Sequence, residues 1–211
     1  MAYLQLYKHA LESIFSHLNL LEIARVTATC RDWSAAVDSM RPIGALAGRS
    51  GRLDLHSMRN SRLMRHILEI HLGSASISVS EISSLCDIIK QSTSLTTVNL
   101  RYNKIGDVVA SAVAEAIKQS NSRTTVNLSD NWIGGYGASA IAEAIKQSKS
   151  LSVIDLSHNL IGAYGASSIA EAIKQSTSLT TVNLRYNKIG SIGASAITDA
   201  IKQSKPMTVD F

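Results

Sequence analysis

Aromatic residues are scarce in this chain, 5% of the total with two phenylalanines and two tryptophans, although 45% of it is hydrophobic. Its core must therefore be aliphatic, packed by Leu, Ile, Val and Ala. Proline occurs only twice and charged residues make up 18%, which excludes the composition of a disordered chain. No apolar run approaches the ~18 residues that a membrane-spanning helix needs, so no membrane partner is expected. The opening MAYLQLYKHALES lacks the basic-then-apolar profile of a secretory signal, and the expected location is cytoplasmic or nuclear. Cys30 and Cys86 are the only cysteines; far apart, each inside an apolar pattern, they read as free thiols. Neither has metal-ligand spacing, and no metal or cofactor is expected.

Positive charge is unevenly placed. Residues 1–66 hold nine Lys or Arg against five Asp or Glu, and residues 67–211 twelve against eleven, giving the net +5. The excess lies in Arg41, Arg49, Arg52, Arg59, Arg62 and Arg65, opposed only by Asp54. Neither aromatic interleaving nor a nucleic-acid motif accompanies this run. It reads as a solvated connector, and nucleic acid is not the expected partner.

What the chain has in abundance is itself. LTTVNLRYNKIG stands at 95–106 and again, unchanged, at 179–190. Between them lie RTTVNLSDNWIG from Arg123 and LSVIDLSHNLIG from Leu151, so the four starts, at 95, 123, 151 and 179, keep one constant interval. A divergent copy begins at Ile67, and the fragment PMTVDF from Pro206 runs one position ahead of register. Within each unit the period changes. Leu95, Val98 and Leu100 set against Thr97, Asn99 and Arg101 predict a short strand. Gly106, Gly134, Gly162 and Gly190 mark a turn. Ala110, Val113, Ala114 and Ile117 then fall at helical spacing, as do Ala138, Ile141, Ala142, Ile145 and Ala166, Ile169, Ala170, Ile173. One β-α unit cannot bury its own apolar edge, so the units must stack.

These units resemble leucine-rich repeats of the longer, ribonuclease-inhibitor-like type, through the pattern L-x-x-L-x-L-x-x-N-x-I repeated four times. The resemblance covers about 67–211 and implies an α/β solenoid of 28-residue β-α repeats, with parallel strands on the concave face and helices on the convex one. Residues 43–66 are then a basic connector or a degenerate first repeat, with Leu53 and Leu55 hinting at an opening strand. Asn103, Asn131, Asn159 and Asn187 read as a structural ladder, each amide bonding backbone groups of adjacent turns. Ala75 stands at that position in the 67–94 unit, as in an atypical terminal repeat. Asp87, Glu115, Glu143, Glu171 and Asp199 form an acidic column, each three positions ahead of Lys90, Lys118, Lys146, Lys174 or Lys202. A solvated helical face accounts for both columns.

Residues 1–42 do not follow the repeat. Leu11, Ile14, Phe15 and Leu18 fall at helical spacing, and a second patterned stretch runs from Leu21 to Cys30 and Trp33. So short a segment rarely holds a fold unaided, and this small all-α unit must pack on the repeats, on a partner, or on both. Its order of residues resembles an F-box, with Leu6, Leu11, Ile14-Phe15-Ser16, Leu18, Glu22-Ile23 and Cys30-Arg31-Asp32-Trp33 matching the motif. Tyr7, His9 and Ala10 depart from it, where the family carries Pro, Glu and Leu. The resemblance implies docking to the Skp-type adaptor of a cullin-RING ubiquitin ligase through Leu6, Leu11, Ile14, Phe15, Leu18 and Ile23. The competing reading makes these helices a cap on a plain repeat scaffold.

Outward strand positions form columns across the repeats. One runs Glu69, Thr97, Thr125, Val153, Thr181; the next His71, Asn99, Asn127, Asp155, Asn183; the third Gly73, Arg101, Ser129, Ser157, Arg185. Just beyond lie Tyr102, Asp130, His158 and Tyr186. Two Arg-Tyr pairs flanking a polar saddle suit a peptide with acidic ends, although identical flanks also record duplication of one repeat. Trp132 and Leu160 replace Lys104 and Lys188 in the middle repeats and suggest a small apolar patch. The residues expected to face a target are therefore Asn99, Arg101, Tyr102, Asp130, Trp132, Asp155, His158, Asn183, Arg185 and Tyr186. Asp155 and His158 lack a nucleophile on an activating turn, so no enzyme is expected. The last strand, at Phe211, reads as an open edge or one covered by a second copy. The expected function is protein binding.

Overall fold

The structure is a computed structural model that describes residues 43–47, 67–73, 77, 79–93, 95–120 and 124–211. Among the described residues seven strands make one parallel sheet in chain order: β1 (Ile43–Ala47), β2 (Ile67–His71), β3 (Thr97–Asn99), β4 (Thr124–Asn127), β5 (Leu151–Asp155), β6 (Thr181–Asn183) and β7 (Thr208–Asp210). From β2 onward a helix separates each strand from the next: α1 (Val79–Gln91), α2 (Gly106–Gln119), α3 (Gly135–Gln147), α4 (Gly162–Gln175) and α5 (Gly190–Gln203). Parallel neighbours need a crossover of this kind. The strands line the concave side of the solenoid and the helices the convex side.

The sheet opens at β1, inside the stretch read as connector or degenerate repeat, with Ile43 opposite Ile67. Leu53 and Leu55, the residues that hint at an opening strand, lie outside the described residues. So does Ala75. Apart from a shift between Thr124 and Thr125 where β4 pairs with β5, strand register is regular: Glu69, Thr97, Thr125, Val153, Thr181 and Thr208 stand side by side, as do His71, Asn99, Asn127, Asp155, Asn183 and Asp210. The closing strand sets Thr208 opposite Thr181, one position short of the regular interval, as the offset of PMTVDF predicts.

Between the layers runs one aliphatic core. Val98, Leu100, Val126, Leu128, Ile154, Leu156, Val182 and Leu184 point into it from the strands, and Val113, Ile117, Ile141, Ile145, Ile169 and Ile173 meet them from the helices. Alanines on the helices allow successive repeats to approach closely, and in three repeats a glycine allows still more. A Cβ on Gly165 would lie 2.5 Å from Ile161 Cγ2 and 2.8 Å from Ala138 Cβ, and one on Gly193 would lie 2.8 Å from Ala166 Cβ. Helices α3 and α4 end at Ser148 and Ser176, whose hydroxyls accept the backbone N–H groups of Leu151 and Leu179 at 3.0 and 3.1 Å and turn the chain into the next unit.

The asparagine ladder holds the strand-to-helix turns. Asn131 is completely buried. Each Nδ2 donates within its own repeat and to the one before: Asn103 to the carbonyls of Leu72 (2.7 Å) and Leu100 (2.9 Å), Asn159 to those of Leu128 (3.0 Å) and Leu156 (2.9 Å), Asn187 to those of Leu156 (2.8 Å) and Leu184 (2.9 Å). The Oδ1 atoms accept N–H groups of the preceding repeat. Asn131 takes those of Asn103 and Ile105, and Asn159 those of Asn131 and Ile133. The amide thereby satisfies backbone groups that no strand or helix could reach.

Candidate protein-interaction surface

The ladder forces its neighbours into an uncommon backbone. Residues on either side of the buried asparagine take left-handed φ values: Tyr102 at 59° and Lys104 at 54°, Asp130 at 57° and Trp132 at 60°, Tyr186 at 60° and Lys188 at 53°, with His158 at 55° in the remaining repeat. This region costs a non-glycine residue roughly 1–2 kcal/mol. The ladder's hydrogen bonds offset that cost and leave the flanking side chains outside. Gly106, Gly162 and Gly190 follow at φ 63–64°, but Gly134 is extended at −91°. There a different device replaces the left-handed turn: Asp107 Oδ1 accepts the N–H groups of Gly134 (2.7 Å) and Gly137 (3.0 Å), a carboxylate from α2 capping α3.

On the concave strands the middle column is occupied with its own backbone. Asn99 Oδ1 accepts the Arg101 N–H, Asn183 Oδ1 that of Arg185, and Asp155 Oδ1 that of Ser157, at 2.9–3.1 Å. Asn127 likewise accepts from Ser129 N–H and hydroxyl. These side chains close the strand ends and offer little to a ligand. His71 and Glu69 pair with each other at 2.8 Å.

The rim beyond them is different. Arg101 Nε donates to Asp130 Oδ2 at 3.0 Å, and its guanidinium lies 4.7 Å from the centroid of the Tyr102 ring. The hydrogen bond to Asp130 raises the Arg101 pKa above its ordinary value. Arg185 reaches Asp210 at 3.4 Å. Both arginines, read in sequence as free anchors, thus already hold a carboxylate from the next repeat. Tyr186 stacks on His158, centroids 4.3 Å apart, while Asp155 is engaged with Ser157. The structure therefore sets His158 and Asp155 to separate tasks. Trp132 is 59% exposed with the Lys104 ammonium 5.3 Å from its ring centroid, and Leu160 is exposed at the equivalent position of the next repeat.

Sequence reasoning misses a further column. Val108, Tyr136, Tyr164 and Ile192, at equivalent positions of successive repeats, are exposed in the first turns of α2 to α5. Tyr136 and Tyr164 lie with ring centroids 5.9 Å apart. Their regular spacing is the signal that could find them.

The helical face carries the charge columns. Lys118, Lys146, Lys174 and Lys202 each pair with the acid three positions earlier. Glu115, Glu143 and Glu171 have lowered pKa values, held down first by hydrogen bonds from Lys118, Gln147 and Gln175 respectively. Cys86 is buried in the core, and desolvation pushes its thiol up to about 11. Among the described residues no cluster of three His, Cys, Asp or Glu is placed to hold a metal, and no helix is long and apolar enough to cross a membrane. Leu6, Leu11, Ile14, Phe15, Leu18 and Ile23 lie outside the described residues.

A parallel solenoid of β-α units, with four of its turns pinned by a buried asparagine and a variable rim exposed, has the leucine-rich-repeat fold. The family model for the leucine-rich repeat matches residues 91–114, 124–142, 147–170 and 175–197, and that for the F-box domain matches 4–43. The chain thus carries an F-box domain followed by four leucine-rich repeats, the arrangement of a protein-interaction adaptor. No curated protein sequence matches it. Among solved structures it is similar to leiomodin-1 actin-binding site 2, with 20% identity, a TM-score of 0.56, and 69% of this chain and 83% of that one covered. It is similar also to the tropomodulin C-terminal domain of Caenorhabditis elegans, with 18% identity, a TM-score of 0.59, and 72% and 93% covered. At such identities the likeness is one of fold.

Proposed function

We propose that this chain is a substrate receptor of a cullin-RING ubiquitin ligase. The F-box docks a Skp-type adaptor, and the repeats hold an unidentified protein or peptide target on the concave surface toward its rim. The observation that carries this reading is the F-box match at 4–43 on the N-terminal side of the repeats matched from residue 91. Such a receptor brings a target to a ligase and needs no catalytic group of its own. Leu6, Leu11, Ile14, Phe15, Leu18 and Ile23 supply the apolar docking face. Arg101, Tyr102, Asp130, Trp132, His158, Arg185 and Tyr186 supply the target face.

Pull-down with a purified Skp-type adaptor tests the reading. The intact chain is expected to be retained, and an Ile14→Ala, Phe15→Ala double variant to lose at least about tenfold in affinity, as removal of buried anchors does. Failure of the intact chain to bind overturns the ligase reading and leaves a repeat scaffold with a helical cap.

A further inference from the structure

Nine large apolar residues are exposed among the described residues, and eight of them lie in the strand-to-helix loops and first helical turns; Phe211 is the exception. Trp132 and Leu160 occupy equivalent loop positions. Val108, Tyr136, Tyr164 and Ile192 follow them a few positions on in the helices, with Tyr136 79% and Tyr164 61% exposed. The result is a stripe along one edge of the solenoid, crossing four repeats at right angles to the strands. Single exposed apolar residues are ordinary, but exposed apolar residues at one position of four successive repeats, the central two in ring contact, mark a binding surface.

Charge states what covers it. The flanking repeats carry exposed Lys104 and Lys188 at the loop position that Trp132 and Leu160 fill in the middle. Two carboxylates of this rim are already engaged, Asp107 by the Gly134 and Gly137 amides and Asp130 by Arg101. An apolar centre thus lies between two exposed lysines, neither of them in an ion pair among the described residues, with the Lys104 ammonium standing 5.3 Å from the Trp132 ring centroid. We infer that this edge binds an extended segment of a partner protein in which large apolar residues are flanked on both sides by Asp or Glu. Resting on the receptor reading above, this places the target's main anchor on the edge instead of the strand face. Three repeat steps of ~4.8 Å separate Lys104 from Lys188 at the least, about 14 Å, or about four to five residues of extended chain. The flanking acids should therefore stand at least that far apart.

A display library of random dodecapeptides, panned against the full chain, supplies the probe. Enriched sequences are expected to carry two or more large apolar residues between acids spaced about four to six positions apart. A synthetic peptide of the enriched sequence should bind about tenfold more weakly to a Tyr136→Ser, Tyr164→Ser double variant, and similarly to a Lys104→Glu, Lys188→Glu variant, which should favour basic peptides instead. All four positions are exposed, so an unchanged thermal midpoint checks the fold. No enrichment, enrichment without acids, or binding by either variant as tight as that of the unaltered chain overturns the inference. So does self-association of the intact chain that the tyrosine variant abolishes, because the edge would then be covered by a second copy. Adaptor pull-down on the same variants separates the two readings. Loss of peptide with adaptor retained concerns the edge alone, and loss of adaptor by the intact chain concerns the ligase reading alone.

Discussion

Residues 95–106 and 179–190 have the same sequence and lie in different surroundings, and they separate what the repeat dictates from what its neighbours decide. Their backbones coincide: φ is 59° and 60° at Tyr102 and Tyr186, 54° and 53° at Lys104 and Lys188, 63° and 64° at Gly106 and Gly190. Their buried amides also match, Asn103 donating to Leu72 and Leu100 and Asn187 to Leu156 and Leu184. The exposed side chains diverge. Tyr102 lies against its own Arg101, whereas Tyr186 stacks on His158 of the preceding repeat. Arg101 holds Asp130 at 3.0 Å and Arg185 holds Asp210 at 3.4 Å. The buried architecture is thus the same in both copies, even where it reaches into the preceding repeat, and the exposed contacts vary with the residues that the neighbouring repeats supply.

The largest effect tests the shared half of the comparison. Asn103→Ala and Asn187→Ala each remove three amide donations to carbonyls. With buried partners left unpaired at about 1–3 kcal/mol each and some relief by relaxation, a loss of about 3–5 kcal/mol is expected for either variant. Urea denaturation followed by far-ultraviolet circular dichroism should place the two within about 1 kcal/mol of each other. A markedly smaller cost at one site would show that the ladder is not equivalent along the chain.

The same division explains what can be read in advance. Strand register and helix faces are legible because they rest on a periodic apolar pattern, and the asparagine ladder because Asn103, Asn131, Asn159 and Asn187 recur at one interval over four repeats. The opening strand is not. Ile43 pairs with Ile67, too close in sequence for the repeat period, and Leu53 and Leu55 carry the plainer alternation. Asp107 gives no periodic signal either, since its capping role occurs in one repeat and its partners lie 27 and 30 residues away. Arg101 and Arg185 are expected among the target-binding residues, but their carboxylate partners come from the next repeat, which only the folded register brings close. The column of Val108, Tyr136, Tyr164 and Ile192 shares position without sharing identity. Helical periodicity predicts which residues go inside; it says nothing about which exterior positions stay apolar.

A middle-sized effect breaks the comparison at the tyrosines. Tyr186→Ala removes a ring stacked 4.3 Å from His158, while Tyr102→Ala removes a ring that lies against its own arginine. Stacked rings contribute about 0.5–1.5 kcal/mol beyond their area, and this exposed pair belongs at the lower end. Proton NMR of the His158 ring gives the sharper readout. Its resonances should move downfield in Tyr186→Ala as the ring-current shielding disappears, and stay in place in Tyr102→Ala. Equal shifts in both variants would contradict the assigned partners.

The smallest effect distinguishes the arginines. Arg101–Asp130 and Arg185–Asp210 are both surface pairs, for which coupling of about 0.2–1 kcal/mol is usual. Asp130 keeps only 15% of its side chain exposed against 41% for Asp210, and its bond is shorter. Solvent screens it less, so a double-mutant cycle with Arg→Ala and Asp→Asn should give the larger coupling for the first pair. Raising salt from about 50 mM to about 1 M, where the screening length falls to about 3 Å, should reduce both couplings and bring them together. If the second pair proved stronger at low salt, burial of the acid would not be what separates the two arginines. The difference would then lie in the last strand, where Asp210 is held by β6 alone among the described residues.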